Sequence, residues 1–192
     1  ELQERAFALN ERLRRMASTD ANAFIVYALR DDKNRRIEQQ PFQMEWHDAV
    51  EKYRRLLIMT ARDHGKSFQL SVGRALFELG RDPNLRVKVV AQSDDKASAI
   101  LQQIATNITD NPRIREVFPE LIPADKGNWS KHKIMVKRAA ISKDPSLEAL
   151  GILSSGTGGR ADLLIFDDVV DFRNAIQQPA LREVVKEAYS SV

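Results

Sequence analysis

The chain contains no cysteine. That excludes both a disulfide framework and a thiolate metal site. Histidine is scarce as well: His47, His64 and His132 are scattered, and no two stand at metal-ligand spacing. No apolar run approaches the roughly 20 residues needed to cross a bilayer, so no membrane partner is expected. Neither sign of charge dominates. The 30 Lys and Arg against 27 Asp and Glu leave a formal +3, which permits a nucleic-acid partner without requiring one. Internal repeats and low-complexity tracts are missing too, so neither a solenoid nor a disordered tail is indicated. What is there is 192 residues, the size of one ordinary domain, with enough apolar content for a sizeable core. The first residue is Glu1, and the chain is expected to be a piece of something longer.

Periodicity predicts helices over 3–16 and 20–30, the second capped by Asp20 with Phe24, Ile25, Ala28 and Leu29 on one face. A charged connector over 31–40 leads to a helix over 43–53 behind Pro41. Leu56–Thr60 is apolar on both faces, as a buried parallel strand would be. A helix from Lys66 to Leu79 should follow, with Gly80 at its C-cap and Pro83 beyond. Next come a strand over 86–92 and a helix capped by Ser93 or Asp94, with Ala97, Ile100, Leu101, Ile104 and Ile108 on one face. Asn111-Pro112 opens a short helix that must end before Pro119. Strands are expected over 133–138, 149–154 and 162–167, and a helix over 180–191. Such alternation implies an α/β fold with a mostly parallel sheet flanked by helices. In such sheets ligands bind at the carboxyl ends of strands.

Two motifs fall at such ends. Residues 56–67, LLIMTARDHGKS, run from an apolar strand through a tight polar loop into a helix. A triphosphate needs backbone N–H groups, a helix N-terminus and a mobile cation. In the loop Arg62, Asp63, His64, Gly65, Lys66 and Ser67, Gly65 lets the backbone approach and Lys66 can reach the β- and γ-phosphates. The Ser67 hydroxyl can bind Mg²⁺. His64 reads as a polar loop residue. Thr60 stands where the usual loop has its first glycine, and Arg62 lies two residues into the loop. The second motif is DLLIFDD, residues 162–168. Asp167 can hold the Mg²⁺ water shell, and Asp168 can orient or deprotonate an attacking water. Together they point to nucleoside-triphosphate hydrolysis with Mg²⁺. A rival reading groups Asp162, Asp167, Asp168 and Asp171 as a two-metal nuclease cluster, which leaves Lys66 and its loop unexplained.

At this point the chain resembles the ATPase domain of the large terminase subunit, the motor that packages DNA in tailed bacteriophages, over about residues 20–175. The resemblance rests on four segments in order: PFQMEWH (41–47), ARDHGKS (61–67), NPRIREVFPEL (111–121) and GGRADLLIFDDVVD (158–171). It implies a P-loop NTPase core of the ASCE, RecA-like type over 41–192, behind an N-terminal helical segment over 1–40. That core is expected to be truncated at its C-terminus, lacking a further strand, and the nuclease domain of the family is expected to be absent. Gln43 would read the adenine edge beside Phe42 or Trp46, unless it is an ordinary helix-start residue. Arg62 would contact the γ-phosphate. Arg160, after a Gly-rich turn, is a candidate arginine finger for a neighbouring subunit; the alternative is a surface Arg pairing with Asp162. The implied partners are double-stranded viral DNA, the portal protein and the small terminase subunit. Self-association into a ring is implied as well, a pentamer on the portal and a monomer in isolation. The implied location is the cytoplasm of an infected bacterium, and transiently the procapsid portal.

The densest basic stretch is Lys131, His132, Lys133, Lys137 and Arg138, which could touch backbone phosphates or form a solvated face. Two other readings of the whole chain stay open. One is a helicase-type P-loop ATPase, which would more commonly end its strand in Asp-Glu. The other is a non-hydrolysing module that binds nucleotide or DNA.

Overall fold

The computed structural model describes residues 2–124, 129–154 and 159–170, together with 180, 182, 183, 186 and 187. The elements in chain order are α1 (Leu2–Met16), α2 (Ala21–Ala28), α3 (Pro41–Lys52), a π-helix (Ser67–Arg74) that continues into α4 (Ala75–Arg81), β1 (Val87–Ala91), α5 (Asp94–Asp110), α6 (Pro112–Val117), β2 (Lys133–Ile134), β3 (Leu147–Gly151) and β4 (Leu163–Asp167). Of the helix expected over 180–191, only the five residues just named are described, and they are helical; the rest lies outside the described residues. The chain divides into two compact units, Glu1–Pro83 with Thr106–Ile122, and Asn84–Ala105 with Pro123–Val192.

The first unit is helical. Asp20 caps α2 by accepting from the backbone N–H of Asn22 and Ala23 at 2.8 and 3.1 Å. Pro41 occupies the first turn of α3, where its missing N–H costs nothing. Asn111 caps α6 through the Arg113 N–H, and its amide also reaches the Ala28 carbonyl at 2.9 Å. The core centres on three rings: Phe24 lies 5.7 Å from Phe77 and 5.5 Å from Phe118, and the latter two are 6.2 Å apart. Gly80 lies inside α4 rather than capping it, and the helix ends at Asp82. A Cβ on Gly80 would come within 2.1 Å of the Phe118 ring, so the glycine serves close approach and not chain reversal.

A buried polar layer lies under α3. The Gln69 Oε1 accepts from Gln39 Nε2 at 2.9 Å and from His47 Nε2 at 3.2 Å. Since an amide oxygen only accepts, the His47 proton sits on Nε2. Nδ1 of His47 is buried without a partner. Arg74, also buried, is held by Glu51 at 2.6 Å and by Glu78.

The strand expected over Leu56–Thr60 is not one. Those residues make no ladder, and Leu57 and Met59 are 80% and 85% exposed. Apolar content on both faces reports what a segment could bury, while a strand requires a hydrogen-bonded neighbour.

The second unit is built on a four-stranded sheet in the order β2-β3-β1-β4. β1 pairs in parallel with β3 and with β4, and β2 runs antiparallel to β3. The sheet is therefore mixed rather than mostly parallel. The overall class is α/β, as expected. Val87, Val89, Leu147 and Ala149 fill one face with almost no exposure. On the other face Lys88, Glu148 and Lys133 fall in one register row, with Glu148 bonded to Lys88 at 3.3 Å and to Lys133 at 3.1 Å. A charge this buried persists only when paired, and both oxygens of Glu148 are.

Two strands differ from expectation. β2 stops at Ile134 because the Val136 N–H bonds the Ser146 hydroxyl instead of a ladder carbonyl. β3 begins two residues early and ends at Gly151, whose missing Cβ would meet the Asp94 backbone nitrogen at 2.7 Å. Asp94 ties that end down, accepting from the Gly151 N–H and the Ser154 hydroxyl at 2.8 and 2.6 Å. These bonds hold its carboxyl below the usual carboxylate range.

Two outcomes are expected. In an open helix Gly→Ala adds up to about 1 kcal/mol of stability. Gly80→Ala should instead lose roughly 1–3 kcal/mol by overpacking against Phe118, seen as a lower urea midpoint. Burial, aided by the Arg74 charge, holds the His47 pKa below its ordinary 6.5, against the Gln69 hydrogen bond. The unfolded chain then takes up the proton first, so stability is full above about pH 6.5 and falls as pH drops below it. Thermal melts from about pH 7 to about pH 5.5 should show this slope. His47→Gln should flatten it, and an unchanged slope would assign it elsewhere.

Candidate functional site

The phosphate-loop residues lie in the first unit. The loop turns through two left-handed residues, Asp63 at φ 62° and Gly65 at φ 75°. Asp is among the few non-glycine residues that tolerate this region, whereas Gly65 fits it without cost. His64 Nδ1 lies 2.8 Å from the Arg62 carbonyl and closes the turn. Arg62, Asp63, His64 and Gly65 are exposed, and Lys66 and Ser67 are half-buried where the chain enters the π-helix. The Gln69 N–H bonds back to the Gly65 carbonyl at 2.9 Å. The loop is thereby connected to the polar layer around His47.

Gln43 joins this loop. Its Oε1 accepts from the Gln40 N–H at 2.9 Å at the start of α3, and its Nε2 donates to the His64 carbonyl at 2.8 Å. Both ends of the amide are engaged, the oxygen in the cap of α3 and the nitrogen in holding α3 to the loop. The Phe42 ring packs on Trp46 at 5.3 Å and on His64 at 5.6 Å. The sequence groups Gln43 and the loop only through resemblance, and the structure brings them into direct contact.

Asp167, Asp168 and Arg160 lie in the second unit. Asp167 closes β4 opposite Ala91 of β1 and is 7% exposed, a hard oxygen donor at a strand's carboxyl end. Asp168 follows with φ 46° and is exposed. The left-handed turn departs from strand geometry and separates the two carboxylates by environment.

Asp162 and Arg160 lie at the other end of β4. Five strand residues at about 3.3 Å each keep them on the order of 15 Å from Asp167. Asp162 is bound by Arg86 through Nε at 2.8 Å and Nη2 at 2.6 Å, and it accepts the Arg86 N–H at 2.9 Å. The Arg86 guanidinium holds the Asp162 carboxyl below the usual range. Two expectations change. Asp162 pairs with Arg86 and not with Arg160, and it cannot join Asp167 and Asp168 in a two-metal cluster. Asp171, the fourth member of that cluster, lies outside the described residues, as do Gly156, Thr157 and Gly158. No metal-holding group of three or more His, Cys, Asp or Glu occurs among the described residues.

The basic stretch is largely committed. Lys131 pairs with Asp95 at 3.0 Å, Lys133 with Glu148, and Arg138 donates to the Ser142 and Asp144 carbonyls. Sequence reasoning missed a different basic feature. A cleft of about 590 Å³ is lined by Arg86, Ser142, Lys143, Asp144, Gly159 and Arg160. Its residues come from three distant segments, and no local pattern announces it.

Among the described residues no helix is long and apolar enough to cross a membrane. No family model matches the chain. The chain is 30% identical over 127 residues to the large terminase subunit of Enterobacteria phage T3. The match covers 66% of this chain and 21% of that protein. This similarity agrees with the resemblance carried by the motifs and supports a terminase-like protein.

Proposed function

We propose that this chain is the ATP-hydrolysing motor domain of a viral DNA-packaging terminase, coupling hydrolysis to movement of double-stranded DNA into a capsid. The observation that carries the reading is the Gly65-Lys66-Ser67 loop, turned by two left-handed residues and held by Gln43, in a chain similar to a large terminase subunit. Its core is read as a P-loop NTPase.

The loop residues are of the kinds that a triphosphate needs. The exposed loop offers backbone N–H groups, Lys66 would neutralise the β- and γ-phosphates, and Arg62 would contact the γ-phosphate. Ser67 and Asp167 would hold Mg²⁺, which supplies charge neutralisation of the phosphates. Asp168, exposed beside the buried Asp167, would orient the attacking water and take its proton. Beyond its two present hydrogen bonds Gln43 keeps a second amide hydrogen and a second oxygen lone pair, which an adenine edge would use. Arg160 stands at the opposite end of β4 from Asp167, which suits a finger offered to a neighbouring subunit rather than to its own site. The proposed partners are double-stranded DNA, the portal protein, the small terminase subunit and further copies in a ring. The proposed location is the cytoplasm of an infected bacterium.

Thr60 in place of the first loop glycine and Asp168 in place of the commoner Glu favour a second reading, a non-hydrolysing nucleotide-binding module. Calorimetry of Mg·ATP with the chain and with Lys66→Ala should show binding that the substitution abolishes. Asp168→Ala should retain binding while turnover falls by about 100-fold or more. Absence of binding by the unmodified chain would sink the phosphate-loop reading. Binding without turnover, even at ring-forming concentrations, would select the second reading.

A further inference from the structure

The cleft beside Arg160 has a charge that its own residues do not balance. Among the described residues its walls carry Arg86, Lys143 and Arg160 against a single carboxylate, Asp144. Asp144 lies 3.7 Å from Arg86, and Asp162 also binds Arg86. Both acids nearby are thus engaged with the same guanidinium. Lys143 and Arg160 are exposed and form no ion pair among the described residues. Two cations without a counterion share one concavity.

The walls that carry them are built. On one side Arg138 donates to the carbonyls of Ser142 and Asp144, and the Ser142 hydroxyl accepts the Asp144 N–H at 3.1 Å. Asn84 fixes the same loop by accepting the Ala140 N–H at 2.9 Å. Opposite, Lys88 donates to the Gly159 carbonyl at 3.4 Å. Gly159 has φ 100° and lies where a Cβ would be 3.3 Å from an Asp144 oxygen. Clamps on Gly159 and Asp162 flank Arg160 on both sides, so its backbone is held while its side chain is exposed.

We propose that this cleft is a binding site for the phosphodiester backbone of duplex DNA, with Lys143 and Arg160 as the contacting cations. Cations on a fixed frame suit phosphates, because the backbone that carries them is already ordered before contact. Among the described residues no aromatic side chain lines the cleft, which favours contact with the sequence-independent backbone over base stacking. The inference rests on the DNA-handling part of the proposed function and not on ATP hydrolysis. It also places the DNA contact away from the Lys131–Arg138 stretch, and it gives Arg160 to DNA in place of a neighbouring subunit's γ-phosphate.

The test is equilibrium binding of a mixed-sequence duplex to the full chain, without nucleotide, across a salt series. Lys143→Gln and Arg160→Gln should each weaken binding and each reduce the slope of log K against log salt by roughly 1. Lys131→Gln, an equal charge loss elsewhere in the same unit, should leave the slope unchanged. All three variants remove exposed side chains, and circular dichroism checks that each stays folded. If the unmodified chain binds and the cleft variants keep its slope, the cleft is overturned while the motor reading stands. Equal losses in all three variants would also overturn it, as a bulk charge effect. If the unmodified chain does not bind the duplex, the cleft and the DNA-handling reading fall together.

Discussion

The parallel ladders on both edges of β1 determine where the chemistry of the second unit lies. Ala91 is level with Gly151 on one side and Asp167 on the other, and Val87 is level with Leu147 and Leu163. Because parallel strands start and stop together, the unit acquires two chemically distinct ends. The carboxyl ends gather Asp167 and Asp168. The amino ends gather Arg86, Asp144, Asp162 and Arg160. A one-residue slip of β4 would turn its side chains to the opposite face and separate Arg86 from Asp162. The three bonds between those two residues and the ladder that follows them reinforce the same register.

Burial of polar groups follows one rule in both units. Glu148 is acceptable inside the sheet because Lys88 and Lys133 occupy its row on either side. Gln69 is acceptable inside the helical unit because two donors converge on its oxygen. Removing one member of such a set leaves an uncompensated buried group, which costs more than the intact interaction contributes. These sets are also positioning devices. Lys88 reaches on to the Gly159 carbonyl, and Gln69 reaches back to Gly65, so each connects the buried interior to an exposed loop.

The loop over 62–67 shows how a short sequence can set a turn. Gly65 takes a left-handed conformation that favours glycine, and Lys66-Ser67 follows at the entry to the π-helix. Gln43, some twenty residues earlier, supplies the hydrogen bond that holds the turn. A π-helix in place of the expected α-helix shifts side-chain spacing over Ser67–Arg74, and this is where Gln69 and Arg74 become buried.

By itself the sequence determined the helices, their caps at Asp20 and Asn111, the strands 87–91 and 163–167, the α/β class, and the loop and carboxylate motifs with their resemblance to terminases. These are local properties, set by side chains within a turn or two of one another. Tertiary structure alone decided the rest. Residues 56–60 have the apolar content of a strand but no ladder, since pairing depends on a neighbour and not on composition. Asp162 belongs to Arg86, 76 residues away, and not to the nearby Arg160. The basic stretch at 131–138 is largely engaged by acids and carbonyls, while Lys143 and Arg160 share one cleft and form no ion pair among the described residues. Charge and hydrogen bonding act through space, and which groups neutralise one another is known only once the chain has folded.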